Sequence, residues 1–423
     1  MRPPAPATRL TIIADDLTGA ADAAAALVPH GECSVLLTFD SQRLPSAITA
    51  INTVSRDVAA HVAYERVAKA SHLALGAGST LYKKVDSLLR GNVGTELDAV
   101  LATARRHDGL GRARLVVAPA FPAMGRTTVG GRVEVRGRPR PDIPYGGDVG
   151  AALQIAGLAV AVVGRPGGET RLRQALESFA TTSVDAIVVD ATSDDDLRLI
   201  ARASECLSYP AILAGSGGLS RHLAQHGPAP THQAFASAAG GRPLPGPVLF
   251  VCGSHSLEAL AQAKRLVEAG LHEIAVGVAP AGPHADPTPP SRNRAGAPAA
   301  IGAFVKDTLL RVDPRLEVHA RHRAGVERAL TDAAAGLAPL YRTLVLTGGS
   351  TAQSLLVRLG VSAMRVEEEV LPGVVRSRAD VVGLPVVITK AGAFGDDDTL
   401  LDLARLSTGA EPSAPPSRRK DTP

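Results

Sequence analysis

The sequence predicts an α/β fold: two doubly wound α/β domains with mainly parallel sheets and a cleft between them. Short, almost continuous apolar runs alternate with segments of helical period, the pattern of a parallel sheet covered by helices on both faces. At 423 residues the chain is longer than one ordinary core requires. The alternation runs twice, and a stretch rich in Gly, Pro, Ala and His at 225–247 separates the two series.

The first series opens with an apolar run, 10–14, that closes on Asp15 and Asp16 and leads through Thr18-Gly19 into the Ala-rich segment 20–28. This reads as a buried strand, a tight turn and a helix capped by Thr18. Further strands are expected at 35–37, 48–53, 115–118, 158–163, 187–189 and 212–214, with helices at 59–75, 95–106, 171–179 and 194–207. The second series places strands at 248–252, 273–278, 343–347 and 386–389, and helices at 256–268, 323–338 and 352–359. The expected organisation is a flexible N-terminus (1–8), a first domain (9–228), a linker (229–246), and a second domain (247–410) carrying a mobile insertion (279–299). A disordered tail (411–423) ends the chain.

Composition excludes several classes. Forty-five basic residues against 41 acidic ones leave a net charge of only +4, and aromatics are 3% with no Trp, so neither nucleic acid nor a membrane surface is an expected partner. No apolar run approaches the roughly 18 residues of a spanning helix. Met1-Arg2-Pro3-Pro4-Ala5-Pro6 lacks the apolar core of a signal peptide. Cys33, Cys206 and Cys252 form no C-x-x-C pair and read as reduced thiols, so a cytoplasmic protein is expected.

The densest chemistry lies in Leu81-Tyr82-Lys83-Lys84-Val85-Asp86-Ser87-Leu88-Leu89-Arg90-Gly91-Asn92-Val93-Gly94-Thr95-Glu96, read as strand, loop and helix. Only seven lysines occur in the chain, so the adjacent pair Lys83 and Lys84 stands out, and ammonium groups suit a point contact with a small anion. Arg56 and Arg126 follow two other strands of the same sheet, and guanidinium groups converging on one crevice suit a carboxylate or phosphate. Neighbouring carboxylates repel, so Asp15 or Asp16 can have a raised pKa and act as base or metal ligand, while one of them can cap the helix.

In the second series, Thr347-Gly348-Gly349-Ser350-Thr351-Ala352 is a strand end, a Gly turn and a helix start, which makes an anion cradle. The same grammar recurs at Lys390-Ala391-Gly392-Ala393-Phe394-Gly395 and more faintly at Cys252-Gly253-Ser254-His255-Ser256. Three such turns describe a nucleotide phosphate site, although neither a P-loop nor a G-x-G-x-x-G fingerprint is present. Asp396-Asp397-Asp398 could hold Mg²⁺ through water or cap the helix that follows. The Gly-Gly-Ser-Thr-Ala turn also comes close to a hydrolase nucleophile elbow, but no His follows Ser350.

Taken together, these motifs resemble the four-carbon acid sugar kinases, formerly a domain of unknown function. The pieces are Ala14-Asp15-Asp16-Leu17-Thr18-Gly19-Ala20, Lys83 to Glu96, Pro119-Ala120-Phe121-Pro122 with Gly125-Arg126, the Thr347 to Ala352 turn, Pro372-Gly373-Val374 and the Lys390 to Gly395 turn. The resemblance implies an acid-sugar domain followed by a nucleotide domain, and ATP-dependent phosphorylation of the terminal hydroxyl of threonate, erythronate or a 3-oxo-tetronate. It implies sugar-acid contacts from Asp16, Arg56, Lys84, Asp86 and Ser87, and ATP contacts from Ser254, Gly348, Gly349, Ser350, Thr351 and Gly392. Arg126 joins the first set and Lys390 the second on the residue reading above.

In the expected mechanism Arg56 and Lys84 fix the acceptor carboxylate and Asp15 or Asp16 takes the hydroxyl proton, with Mg²⁺ spreading the phosphate charge. A homodimer is left open, as is a non-catalytic sensor that keeps the fold. The family's Asp-Ser-Thr-x-Arg-Gly is Asp86-Ser87-Leu88-Leu89-Arg90-Gly91 here, which makes Leu88 the position expected to bear on acid identity.

Overall fold

A computed structural model describes residues 9–38, 43–223, 242–277, 305–316 and 323–408. The expected N-terminal arm, the insertion 279–299, the tail and most of the linker lie outside the described residues.

The first half contains β1 (Arg9–Ala14), β2 (Cys33–Leu36), β3 (Ile48–Asn52), β4 (Ser79–Lys84), β5 (Arg114–Ala118), β6 (Arg126–Val129), β7 (Arg132–Val135), β8 (Arg138–Pro139), β9 (Val160–Val163), β10 (Ala186–Val189) and β11 (Ala211–Gly215). Its helices are α1 (Leu17–Ala25), α2 (Ala60–Gly76), α3 (Val93–Arg105), α4 (Val149–Gln154), α5 (Glu169–Glu177), α6 (Asp194–Glu205) and α7 (Gly217–Ser220). The second half contains β12 (Val248–Cys252), β13 (His272–Val276), β14 (Thr308–Val312), β15 (Thr343–Thr347), β16 (Ala363–Leu371), β17 (Val374–Ala379) and β18 (Val386–Lys390). Its helices are α8 (Leu257–Glu268), α9 (Arg323–Leu337), α10 (Gly349–Arg358) and α11 (Thr399–Thr408).

Fifteen of the described strands form one sheet, in the order β13-β14-β12-β15-β18-β17-β16-β2-β3-β1-β4-β11-β5-β10-β9. On either side of the seam the pairing is parallel, as βαβ crossovers require. The seam itself is the β16–β17 hairpin, whose β16 runs antiparallel to β2 with Ala363 opposite Leu36 and Val366 opposite Cys33. The two sheets expected from sequence are therefore joined edge to edge. The hairpin hides its strand pattern behind charge: Glu367 pairs with Arg376 and Arg378 across the turn, and Glu369 with Arg221 of the first half.

Helix α1 is wedged into this junction, against β16 and α10. All nine of its residues are buried. Alanine makes that possible, because small side chains let a helix approach its neighbours on every face. Ala20 and Ala24 share one apolar cluster with Leu346, Leu355 and Val366 of the second half. The helix is capped by Asp16, whose carboxylate accepts from Gly19 N at 3.1 Å, and not by Thr18 as expected. Thr18 instead donates to Asp16 Oδ2 at 2.6 Å.

Strands β6–β8 make a small separate sheet that carries Arg126. It is tied down by Asp190, which accepts from Gly130 N at 2.7 Å and Gly131 N at 2.8 Å.

Candidate active site

The carboxyl ends of β1, β3 and β4 face one crevice, where ligands of open parallel sheets bind. Arg56, just beyond β3, is the centre of the charge there. Its Nε donates to Asp15 Oδ2 at 2.6 Å, and its Nη2 to Asp15 Oδ1 at 3.0 Å and Asp16 Oδ1 at 2.8 Å. Asp86 Oδ1 lies 3.8 Å away. Burial pushes the Asp15 carboxyl up, but Arg56, Lys83 and Lys84 outweigh it and hold it below the usual carboxylate range. The expected repulsion between Asp15 and Asp16 is thus removed by the guanidinium between them. With both oxygens held by the one Arg56 guanidinium and only 3% exposure, Asp15 serves as a clamp for Arg56. Asp16 is the more open of the two.

The lysine pair divides. Lys83 points into the core and pairs with Glu96 at 2.8 Å, both side chains being buried. Lys84, also buried, donates to Val85 O at 3.0 Å. Gly19 leaves room at this point: a Cβ there would stand 2.5 Å from Asp16 Oδ1 and 3.1 Å from Lys84 Nζ.

Asp86 folds its own loop, accepting from Arg90 Nη2 at 2.6 Å, Arg90 Nε at 2.9 Å and Leu88 N at 3.1 Å. Burial opposes its ionisation, yet Arg56 and Arg90 hold it well below the ordinary range. The loop is strained, with Leu89 at φ +59°, and the Leu88 side chain packs against the first-half core. Ser87 Oγ accepts from Arg126 Nη1 at 2.6 Å. Arg126 is buried, and among the described residues no carboxylate pairs with it.

Across the crevice the three glycine turns interlock. Gly348, at φ +106°, packs on Ser254, a Cβ at Gly392 would collide with Ser254, and a Cβ at Gly253 would collide with Thr351. The first N–H groups of α10, from Gly349 to Thr351, have no carbonyl of their own helix to bond and form its positive end. Lys390 turns inward: fully buried, it donates to Ala391 O at 2.9 Å and Gly392 O at 3.2 Å, bracing its own turn. Burial pushes its ammonium down to about 8. Asp396 Oδ1 accepts from Asp398 N at 3.2 Å and Thr399 Oγ1 at 3.0 Å, a turn at the start of α11.

The two sides meet at Asp16. A Cβ added to Gly349 would stand 2.6 Å from Asp16 Oδ2. A cleft of about 630 Å³ opens beside this junction, lined by Asp16, Asn52 and Arg56 on one side and Gly253, Ser350 and Thr351 on the other.

Comparison with known proteins agrees with this division. Residues 10–223 match the family described as a sugar-binding N-terminal domain, and residues 249–400 match the one described as a nucleotide-binding C-terminal domain. A D-threonate kinase of Cupriavidus necator is 35% identical, over 92% of this chain and 95% of that one. The chain belongs to the four-carbon acid sugar kinase family. A second member, a 3-oxo-tetronate kinase of Methylobacterium radiotolerans, is 29% identical over 92% of this chain and 97% of its own. The crystal structure of a Haemophilus influenzae protein shares the fold, with a TM-score of 0.64 at 20% identity, covering 95% of this chain and 99% of that one.

Several family positions acquire roles that the sequence did not disclose. Phe121 and Phe394 stack edge to face with ring centroids 6.1 Å apart. Arg126 lies over the Phe394 ring at 5.1 Å, and Arg221 over Phe121 at 5.7 Å. Asn52 bonds Gln353 of α10 at 2.8 Å, another link between the halves. The motif residues were visible as a Pro-Ala-Phe-Pro and a Gly-Ala-Phe-Gly string, but nothing local says that their rings meet.

Proposed function

We propose that the chain is an ATP-dependent phosphotransferase that acts on the terminal hydroxyl of a four-carbon sugar acid, with D-threonate the first candidate. The observation that carries this reading is the position of Asp16, an acceptor-side carboxylate beside Gly349 in the phosphate turn. Phosphoryl transfer is mainly positioning and charge stabilisation, so a base within reach of both substrates is the feature to look for. The acceptor oxygen attacks the γ-phosphorus, its proton passes to Asp16, and the bond to the β-phosphate breaks to release ADP.

Arg126 and Lys84 hold the acceptor carboxylate in this reading. Arg126 is preferred to Arg56 because Arg56 is already engaged by Asp15 and Asp16, whereas among the described residues the Arg126 guanidinium donates only to a serine hydroxyl. The α10 N–H groups, with Ser350 and Thr351, hold the phosphates, and Ser254, Gly392 and Lys390 keep the cradle in shape. No group of three or more His, Cys, Asp or Glu among the described residues is placed to hold a metal by itself. Magnesium would enter on the nucleotide's phosphates, where it would spread their charge. No helix among the described residues is long and apolar enough to cross a membrane, and the three cysteines are free. We place the enzyme in the cytoplasm.

D-Threonate is preferred because the D-threonate kinase above is more similar to this chain than the 3-oxo-tetronate kinase. The test is ADP release with D-threonate, erythronate and 3-oxo-tetronate in parallel, with the product's phosphate located by NMR. The expected result is turnover and a phosphate on the terminal oxygen. Binding of ATP and an acid with no phosphorylated product from any of the three would overturn the kinase reading in favour of a sensor.

A further inference from the structure

We propose that Phe394 is a positioning residue that transmits the state of the nucleotide turn to the Arg126 guanidinium, so that nucleotide and sugar acid bind with positive coupling. The inference rests on the kinase reading and on the assignment of Arg126 to the acid.

The backbone of Phe394 belongs wholly to the nucleotide half. Its N–H donates to Ala391 O at 3.1 Å, its carbonyl accepts from Gln262 of α8 at 3.0 Å, and Lys390 braces the same turn. Its ring lies elsewhere. Buried at 8% exposure, it crosses to the acceptor half, meets Phe121 at 76° and presents its face to Arg126. Gly373, at φ +71° in the β16–β17 turn, closes the remaining side, where any Cβ would collide with the ring. The ring therefore has one seat, set by three family motifs at once.

Arg126 depends on that seat. A guanidinium has five N–H donors in a fixed plane, and only Ser87 accepts from this one among the described residues. A buried cation without a carboxylate is stabilised by an aromatic face, and the face also orients its plane. A phosphate in the cradle next to Gly392 bears on the turn that holds Phe394, and through the ring on the plane of the guanidinium that receives the acid. Coupling needs a contact that differs between the two states, and this is the contact that joins the two ligand sites.

The experiment titrates D-threonate into the full chain by calorimetry, with and without a non-hydrolysable ATP analogue and Mg²⁺, and compares wild type, F394L and F394Y. In wild type the analogue is expected to tighten acid binding about 10-fold, within the usual range for coupled sites. F394L should lose that factor, raising the KM for the acid and, by reciprocity, weakening ATP binding in the presence of acid by the same factor, with the affinity for ATP alone within about twofold of wild type. F394Y should restore coupling because it keeps the aromatic face. Pentafluorophenylalanine at position 394 keeps the shape but reverses the ring's charge distribution. It should abolish coupling even where leucine compromises folding. A wild-type kinase without coupling, or a folded variant lacking the aromatic face that keeps it, overturns this inference alone. A wild-type chain that phosphorylates none of the acids overturns the kinase reading and this inference with it.

Discussion

On the acceptor side of the cleft, carboxylates and cations are set against one another in space: Arg56 spans Asp15 and Asp16, Arg90 holds Asp86, and Lys83 holds Glu96. On the nucleotide side the surface is glycine, hydroxyl and backbone N–H, and the buried Lys390 spends its donors on its own turn. The first side is a lattice of charge in which these groups neutralise one another before any ligand arrives, while Arg126 and Lys84 stand outside the pairs. The second is a shape, emptied of side chains, which under the proposed reading lets a phosphate approach the main chain. Substitutions should therefore act differently on the two. On the acceptor side the outcome depends on whether a charge is structural or free, and the variants below separate those cases.

Asp16→Asn should have the largest effect. Loss of a base in phosphoryl transfer costs about 10²- to 10⁴-fold in kcat, and here KM for either substrate should change little because the amide keeps the shape and still caps α1. Steady-state kinetics at saturating ATP reads this directly. A kcat near wild type would reduce Asp16 to a helix cap and leave the cleft without a base on this side.

Arg56→Ala should strike stability first. Removing one partner of a buried ion pair leaves the other charge uncompensated, at a cost of about 3 kcal/mol, and here two carboxylates are stranded together. Urea unfolding should show a lower midpoint, and Asp15 should then titrate upwards. If the variant unfolds like wild type but has lost acid affinity, Arg56 contacts substrate and the assignment of the acid to Arg126 falls.

The contrast also explains what was legible in the sequence. Strands such as β12 and β15 are buried on both faces, so Val-Leu-Phe-Val and Leu-Val-Leu are readable without a partner. The β16–β17 hairpin was not, because Glu367, Glu368 and Glu369 look like a solvated run until Arg376, Arg378 and Arg221 are brought to them. In the site, residue types were legible and pairings were not. Asp15, Asp16, Lys84, Ser87 and Arg126 could be named from strand ends, but that Arg56 would be spent on Asp15 is a contact across 41 positions of sequence. Lys390 shows the same limit: a lysine beside a glycine turn suggests a phosphate ligand, and its burial, with bonds to its own turn, cannot be read from the string.

The smallest effect comes from a carboxylate that the acceptor lattice leaves unanswered. Asp22 lies further along α1, buried, with Oδ1 bonded to no group among the described residues. Burial, then the nearby Glu369, pushes its carboxyl up to about 6 from an ordinary 3.8, against the pull of Arg221 and Lys84. A folded-state pKa above the unfolded one favours the folded state while the group is protonated, and that advantage disappears as pH rises through 3.8 to about 6. Ionised Asp22 therefore weakens the fold at neutral pH. Asp22→Asn should stabilise the protein at pH 7 by on the order of 2 kcal/mol and by little at pH 4, with kcat close to wild type. Urea midpoints measured from pH 4 to 7.5 on both proteins check the sign. If the variant is instead no more stable at pH 7 and loses turnover, the charge on Asp22 is used by the site, and the boundary between the side proposed to bind the acid and the wedge that joins the two halves must be drawn one helical turn further in.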